Sequence, residues 1–160
     1  METITITVVQ GEVYDEVAKA TDYTGSKLPD DDGQARERIL AADDDLAELG
    51  RFWDEAVTGA NESLKEMLIS GGTRFIQAGN GKEERVKAYQ GELEVSKSFD
   101  KTLSGSVESA IRSYFILSII GQWFKFANKE EAADYFTQAG DFMTAAERLL
   151  YSRRKPTRPV

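Results

Sequence analysis

The amino-acid sequence predicts a mainly α-helical fold: a helical bundle of three substantial helices plus one short helix, with a small antiparallel β element. Three long stretches repeat apolar residues every three or four positions, which is the spacing of one helix face. Strict alternation, which is typical of a strand, is confined to short segments. We expect a single domain over residues 1–152 and an extended basic tail over residues 153–160.

The first segment predicts a half-buried strand. Residues 3–8 (TITITV) alternate β-branched polar and apolar residues, and the apolar face consists of Ile4, Ile6 and Val8. A strand needs a partner, so another strand must lie elsewhere in the chain or in a neighbouring copy. Residues 12–23 then predict a short helix with acidic first turns, and residues 24–33 have the composition of a loop.

The longest helical pattern comes next. Apolar residues recur at three and four positions from Leu46 to Leu68. The run Asp43–Asp45 stands where an N-cap and an acidic first turn are favoured. Gly71 and Gly72 are a typical C-terminal signal, so the sequence predicts that the helix ends before them.

Residues 73–96 predict the β element. Residues 73–78 can form a strand, residues 79–81 (GNG) are a turn signal, and residues 92–96 alternate as a strand does. Residues 82–89 fit either a strand or a loop. We expect a small antiparallel sheet here, which can also include the N-terminal strand.

Two further helices complete the predicted domain. Asp100 can cap a helix that is apolar nearly all round over residues 103–126, which is typical of the central helix of a bundle. Asn128 and Glu131 form a pattern like a capping box at the start of the last helix, which ends near Ser152.

The sequence contains no His and no Cys, and this excludes several classes of chemistry. Catalytic triads, thiolate nucleophiles, zinc sites and iron–sulfur clusters all depend on these residues. We therefore expect no catalytic residue, no metal site, no cofactor and no enzymatic activity. An enzyme that uses only carboxylates, Lys or Tyr is one alternative, but its candidate acids Asp54, Glu55 and Glu62 fall off the apolar stripe of the long helix.

Charge is distributed unevenly along the chain. Residues 1–70 contain 17 acidic and 6 basic residues, a net charge of −11, whereas residues 71–160 contain 11 acidic and 14 basic residues, a net charge of +3. The candidate interaction residues lie in two acidic runs and in the basic tail: Asp30, Asp31, Asp32, Asp43, Asp44, Asp45, Arg153, Arg154, Lys155 and Arg158.

Each of these charged segments has two interpretations. The acidic runs are either solvated loops and helix starts or the complement of a basic surface on another copy. The tail is either a solubilising terminus or an arm that docks on a neighbouring copy, since Arg residues interleaved with Pro stay extended. A contact of the tail with nucleic acid would be modest and sensitive to salt.

Two stretches resemble a known group of proteins. Residues 98–124 (SFDKTLSGSVESAIRSYFILSIIGQWF) and 126–159 (FANKEEAADYFTQAGDFMTAAERLLYSRRKPTRP) resemble small proteins of prophage and tailed-phage structural gene clusters of Bacteroides-type bacteria. The acidic front, with EVAKATDYTGSK at residues 16–27, is similar to helical head–tail connector (neck adaptor) proteins. The resemblance implies a helical bundle with extended arms that assembles into a ring between portal and tail.

The functional prediction follows from this resemblance and from the charge distribution. We expect a non-enzymatic virion structural protein, a head–tail connector or related neck or tail component, that acts by self-association. Its expected partners are copies of itself, which can form a ring, and portal or other virion proteins, with no membrane and no sequence-specific nucleic acid. Residues 1–10 lack a basic signal region, so we expect it in the virion or the bacterial cytoplasm and not secreted. The alternative is an acidic helical regulatory or inhibitory binding module.

Overall fold

A computed structural model describes residues 1–27, 46–77, 85–125 and 128–156 of the chain. Within these residues the chain forms four α-helices and a three-stranded antiparallel sheet. The elements in chain order are β1 (Glu2–Val9), α1 (Gln10–Lys27), α2 (Leu46–Leu64), β2 (Leu68–Gln77), β3 (Arg85–Val95), a short 3-10 helix (Lys101–Leu103), α3 (Ser104–Phe124) and α4 (Lys129–Leu150).

The prediction of a mainly α-helical bundle with a small β element is wrong, because the fold is mixed α/β. The three strands contain 8, 10 and 11 residues and form one sheet against which helices pack. The helix predicted as short, α1, has 18 residues and includes residues 24–27, which were expected in a loop.

The main error lies at the junction of α2 and β2. The helix was expected to continue through Leu68 and to end at Gly71 and Gly72, but it ends at Leu64, where the Met67 N–H bonds to the Leu64 carbonyl at 2.9 Å. β2 then begins at Leu68 and passes through both glycines. Gly71 approaches α2 so closely that a Cβ there would collide with the side chain of Asn61. Gly71 therefore allows close packing of β2 against α2, and the two glycines do not end the helix.

β3 is the central strand of the sheet, with the strand order β1-β3-β2. In the register, Gly91 lies opposite Ile6 of β1 and opposite Gly71 of β2. The predicted inclusion of the N-terminal strand in the sheet is confirmed. Tyr89 and Leu93 lie on the same face of β3 as Gly91. Their side chains face the helices and are buried.

The core lies between this face of the sheet and the helices. α3 is the central helix, as predicted, and it packs against β1, α1, α2 and α4. Aromatic rings join the layers: Phe115 of α3 lies 4.8 Å from the ring of Trp53 and 5.2 Å from that of Tyr89. The burial of these large side chains supplies much of the hydrophobic stabilisation.

Two predicted caps are present. The Asp100 side chain accepts a hydrogen bond from the Thr102 N–H at 3.1 Å and so caps the 3-10 helix that leads into α3. Asn128 accepts from the Glu131 N–H at 3.3 Å and caps α4. Both caps satisfy N–H groups that have no partner within the helix.

The chain direction defines two ends of the molecule. We call one the tail end, because the C-termini of α2, β3 and α4 lie there together with residues 151–156. The other is the hairpin end, where β2 ends and β3 begins. α2 and α4 start with acidic first turns, formed by Glu48 in α2 and by Glu130 and Glu131 in α4.

Candidate interaction surfaces

The described part of the basic tail docks on its own chain. Arg153 forms a β-bridge with Phe99, and the Arg154 N–H donates to the Ser98 carbonyl at 2.7 Å. The Arg154 guanidinium also donates to the Lys97 carbonyl at 3.3 Å. Backbone bonds hold the first two tail residues in place, and the side chains of Arg153, Arg154 and Lys155 are exposed.

This docking gathers basic residues that are distant in the sequence. Lys97, Arg153, Arg154 and Lys155 together form what we call the basic patch, at the tail end of the molecule. Among the described residues, no member of the basic patch forms an ion pair. Their charges are therefore available to a partner.

A groove lies beside the basic patch. Its lining includes Glu66, Met67, Glu94 and Tyr151, together with Arg153 itself. Tyr151 is 65% exposed, which is high for a tyrosine next to a groove. The tail end thus combines basic, acidic and aromatic side chains, a composition typical of protein-binding surfaces.

Seven of the ten predicted interaction residues lie outside the described residues: Asp30, Asp31, Asp32, Asp43, Asp44, Asp45 and Arg158. The other three belong to the basic patch. Asp54, Glu55 and Glu62 are exposed on α2, where the sequence placed them.

The outer edge of β1 is covered by a side chain of α3. Glu108 accepts a hydrogen bond from the Thr7 N–H at 3.1 Å, and this N–H points away from β3. Near the start of the strand, Lys101 forms an ion pair with Glu2 at 3.2 Å. Such coverage blunts an edge strand against pairing with another chain.

The outer edge of β2 is covered over only part of its length. Asn61 of α2 donates to the outward-facing carbonyl of Gly71 at 3.1 Å and accepts from the Tyr89 hydroxyl at 2.8 Å. Two residues further along the strand, Trp53 donates its indole N–H to the Thr73 hydroxyl at 2.8 Å. This bond fixes the Thr73 side chain and does not involve its backbone.

Beyond this point, no hydrogen bond from the described part of the chain reaches the outer backbone of residues 73–77, which we call the open edge. Thr73, Phe75 and Gln77 are exposed, and Phe75 is 63% exposed. The Lys87 ammonium of β3 lies 5.6 Å from the centre of the Phe75 ring, within the range of a cation–π contact. This surface was not predicted from the sequence, although a phenylalanine between Arg74 and Gln77 in a predicted strand was an available signal.

A second groove separates α2 from α4 and has a polar floor. Tyr114, Ser118 and Gln122 recur every four residues on α3 and line it, and the Tyr114 hydroxyl donates to the Ala56 carbonyl at 3.3 Å. Burial raises the pKa of Tyr114, so the phenol stays protonated at neutral pH. Glu55 of α2 also lines this groove.

The described residues also lack a cluster of metal ligands and a membrane-spanning helix. They contain no group of three or more acidic side chains placed to hold a metal ion. None of their helices combines the length and hydrophobicity that crossing a membrane requires. Comparisons of the chain with protein families, curated proteins and solved structures found no match.

Proposed function

We propose that this protein is a non-enzymatic structural protein of a tailed phage or prophage, a head–tail connector or related neck or tail component. It acts by associating with copies of itself and with portal or other virion proteins. The observation that carries this proposal is the basic patch, in which unpaired basic side chains from two distant segments meet at one end of the molecule.

The charges of the two ends favour head-to-tail contacts. The basic patch lies at the tail end, whereas the acidic first turns of α2 and α4, with Glu48, Glu130 and Glu131, begin at the hairpin end. Contacts between the basic patch of one copy and the exposed Glu130 of the next would orient copies in the same direction and favour one register over others. Contacts of this heterologous type close into a ring when the rotation between copies allows it.

Light scattering coupled to size-exclusion chromatography tests the proposal across a series of salt concentrations. We expect association at low salt that weakens as salt screens the exposed charges. Reversing Arg153, Arg154 and Lys155 to Glu should abolish this salt-dependent association. The control variant reverses Lys19 on α1, Lys65 directly after α2 and Lys129 on α4, which are all exposed, and it should associate as the wild type does.

Binding to the portal protein encoded in the same gene cluster is the second half of the test. The wild type and the control variant should bind it, and the patch variant should bind more weakly. A chain that neither self-associates nor binds the portal would refute the proposal. Tight binding to a basic protein that survives reversal of the patch would instead support the acidic binding module.

A further inference from the structure

We infer that two copies of this chain pair in antiparallel fashion through the open edge of β2, with Phe75 opposite the partner's Phe75. The two sheets then form one continuous six-stranded sheet around a two-fold axis. The inference goes beyond the proposed function, because a two-fold contact is isologous whereas the head-to-tail contacts proposed above are heterologous. It does not use the basic patch, so the two contacts can be tested separately.

The first argument is the direction of the backbone groups. Glu94 donates its N–H to the Met67 carbonyl at 2.8 Å, so the even-numbered residues of β3 point towards β2. In the register these residues face Ser70, Gly72, Arg74 and Ile76. The residues between them therefore direct their backbone groups outwards, as the Gly71 carbonyl does towards Asn61. Thr73, Phe75 and Gln77 share that direction.

The second argument is that, among the described residues, no hydrogen bond covers the outer backbone of the open edge. Residues 73–77 contain no Pro, and the irregularity of the strand lies at its other end, between Leu68 and Ser70. An exposed regular edge that carries a large apolar side chain is a template for another strand. The β1 edge offers less room, because Glu108 already occupies the Thr7 N–H.

The third argument is that the open edge is complementary to itself. In an antiparallel pair centred on Phe75, Thr73 faces the partner's Gln77, so all three outward-facing residues pair with outward-facing residues. If the pair were centred on Arg74 instead, Arg74 would lie opposite the partner's Arg74. Like charges in direct opposition are destabilising. That shift would also need Gly71, whose carbonyl is already bonded to Asn61.

The fourth argument is the apolar surface next to the edge. Leu46 and Trp53 lie two helical turns apart on the same stripe of α2, and Trp53 contacts Thr73. From this contact, the seven residues back to Leu46 span about 10 Å along the helix. Three strand residues beyond Thr73 span the same distance, so Leu46 lies level with the end of the open edge. Leu46 is 53% exposed, so a second copy on the open edge can bury it together with Phe75.

Crosslinking with two single-cysteine variants tests this pairing. The chain has no Cys, so every disulfide comes from the introduced residues. Opposed residues in an antiparallel pair have Cα atoms about 5.5 Å apart, which a disulfide can span. A mixture of Thr73→Cys and Gln77→Cys should give a covalent dimer under mild oxidation. Either variant alone should not, because identical positions are then about 13 Å apart.

Phe75→Cys gives an independent readout, because position 75 lies on the two-fold axis and should crosslink with itself. Phe75→Lys should weaken dimerisation about tenfold or more, as expected for a central interface residue. Thr5→Lys, on the exposed part of the β1 edge, is the matched control and should dimerise as the wild type does.

The outcomes separate this inference from the proposed function. Failure of both the mixture and Phe75→Cys to crosslink, in variants with native circular dichroism, would refute the pairing. Equal crosslinking by Thr73→Cys alone would refute the register. Crosslinking without salt-dependent association and without portal binding would leave the pairing standing and refute the connector. Portal binding without crosslinking would do the reverse.

Discussion

The side-chain amide of Asn61 donates a hydrogen bond to the backbone carbonyl of Gly71 across 3.1 Å. The same side chain accepts a bond from the hydroxyl of Tyr89, whose ring is fully buried in the core. One residue of α2 thus satisfies an outward-facing group of β2 and a phenol of β3. It also marks the point on β2 beyond which the edge is open.

Asn61→Leu should lower the free energy of unfolding by about 1–3 kcal/mol, because the Gly71 carbonyl and the Tyr89 hydroxyl would lose their partner. Chemical denaturation measures this directly. Its exposed neighbour Glu62 provides the control, and Glu62→Gln should stay within about 0.5 kcal/mol of the wild type. A variant at position 61 as stable as the wild type would show that water replaces the amide at no cost.

Two glycines of α2 should respond oppositely to Ala. A methyl group at Gly59 would overlap the Tyr114 hydroxyl, whereas nothing lies within 4 Å of a Cβ at Gly50. Gly59→Ala should destabilise the protein by about 1–3 kcal/mol through overpacking. Gly50→Ala should stabilise it by about 0.5–1 kcal/mol, because Ala has the higher helix propensity.

Thermal denaturation of the two variants gives the comparison, and Tyr114→Phe tests its cause. Removing the hydroxyl should reduce the cost of Gly59→Ala, which a double-mutant cycle measures. Equal costs in both backgrounds would contradict the proposed overlap.

Stability should fall at alkaline pH. Burial raises the pKa of Tyr89 from 10.0 to about 12, and burial together with the charge of Asp54 raises the pKa of Tyr14 to about 12. Above pH 10 the unfolded chain releases phenol protons that the folded chain retains. The stabilisation that the protonated phenols contribute is therefore complete below pH 10. The free energy of unfolding declines as pH rises from 10 through 12.

The midpoint of chemical denaturation as a function of pH measures this decline. Tyr89→Phe should make it shallower, since one of the phenols with a raised pKa is gone. Tyr151→Phe, at an exposed position, should leave the profile unchanged. A stability that is constant between pH 10 and 12 would contradict the prediction.

Glu108 should protect the β1 edge as well as stabilise it. Glu108→Ala removes the acceptor of the Thr7 N–H, which should cost about 1 kcal/mol and leave a longer uncovered edge. We expect this variant to aggregate faster on prolonged incubation, as followed by light scattering. Glu108→Gln keeps an acceptor oxygen and should behave like the wild type, whereas aggregation of both variants would point to the lost charge instead.

The sequence predicted those parts of the fold that local patterns determine. The alternation of residues 3–8 located β1, and the caps at Asp100 and Asn128 located the starts of the 3-10 helix and of α4. The nearly uniform hydrophobicity of α3 identified the central helix, because a helix covered on several sides needs no polar face.

The errors arose where distant residues decide the structure. Met67 and Leu68 continue the helical spacing, and the local sequence does not reveal that Gly71 packs closely against Asn61 and Tyr89 in a strand. The basic residues of the tail were recognised, but the docking of Arg154 on Ser98 depends on a segment more than 50 positions away. The open edge of β2 could not be predicted before the strand order was known.

The strand order also affects how fast the chain can fold. β2 and β3 are neighbours in sequence, whereas β1 pairs with a strand from which it is separated by both α1 and α2. Closing so long a loop carries a large entropic cost, and long-range contacts slow folding. We therefore expect the β2–β3 hairpin to form early and β1 to dock late. Until β1 docks, β3 presents a second unpaired edge, and a chaperone that shields it would raise the yield of native protein.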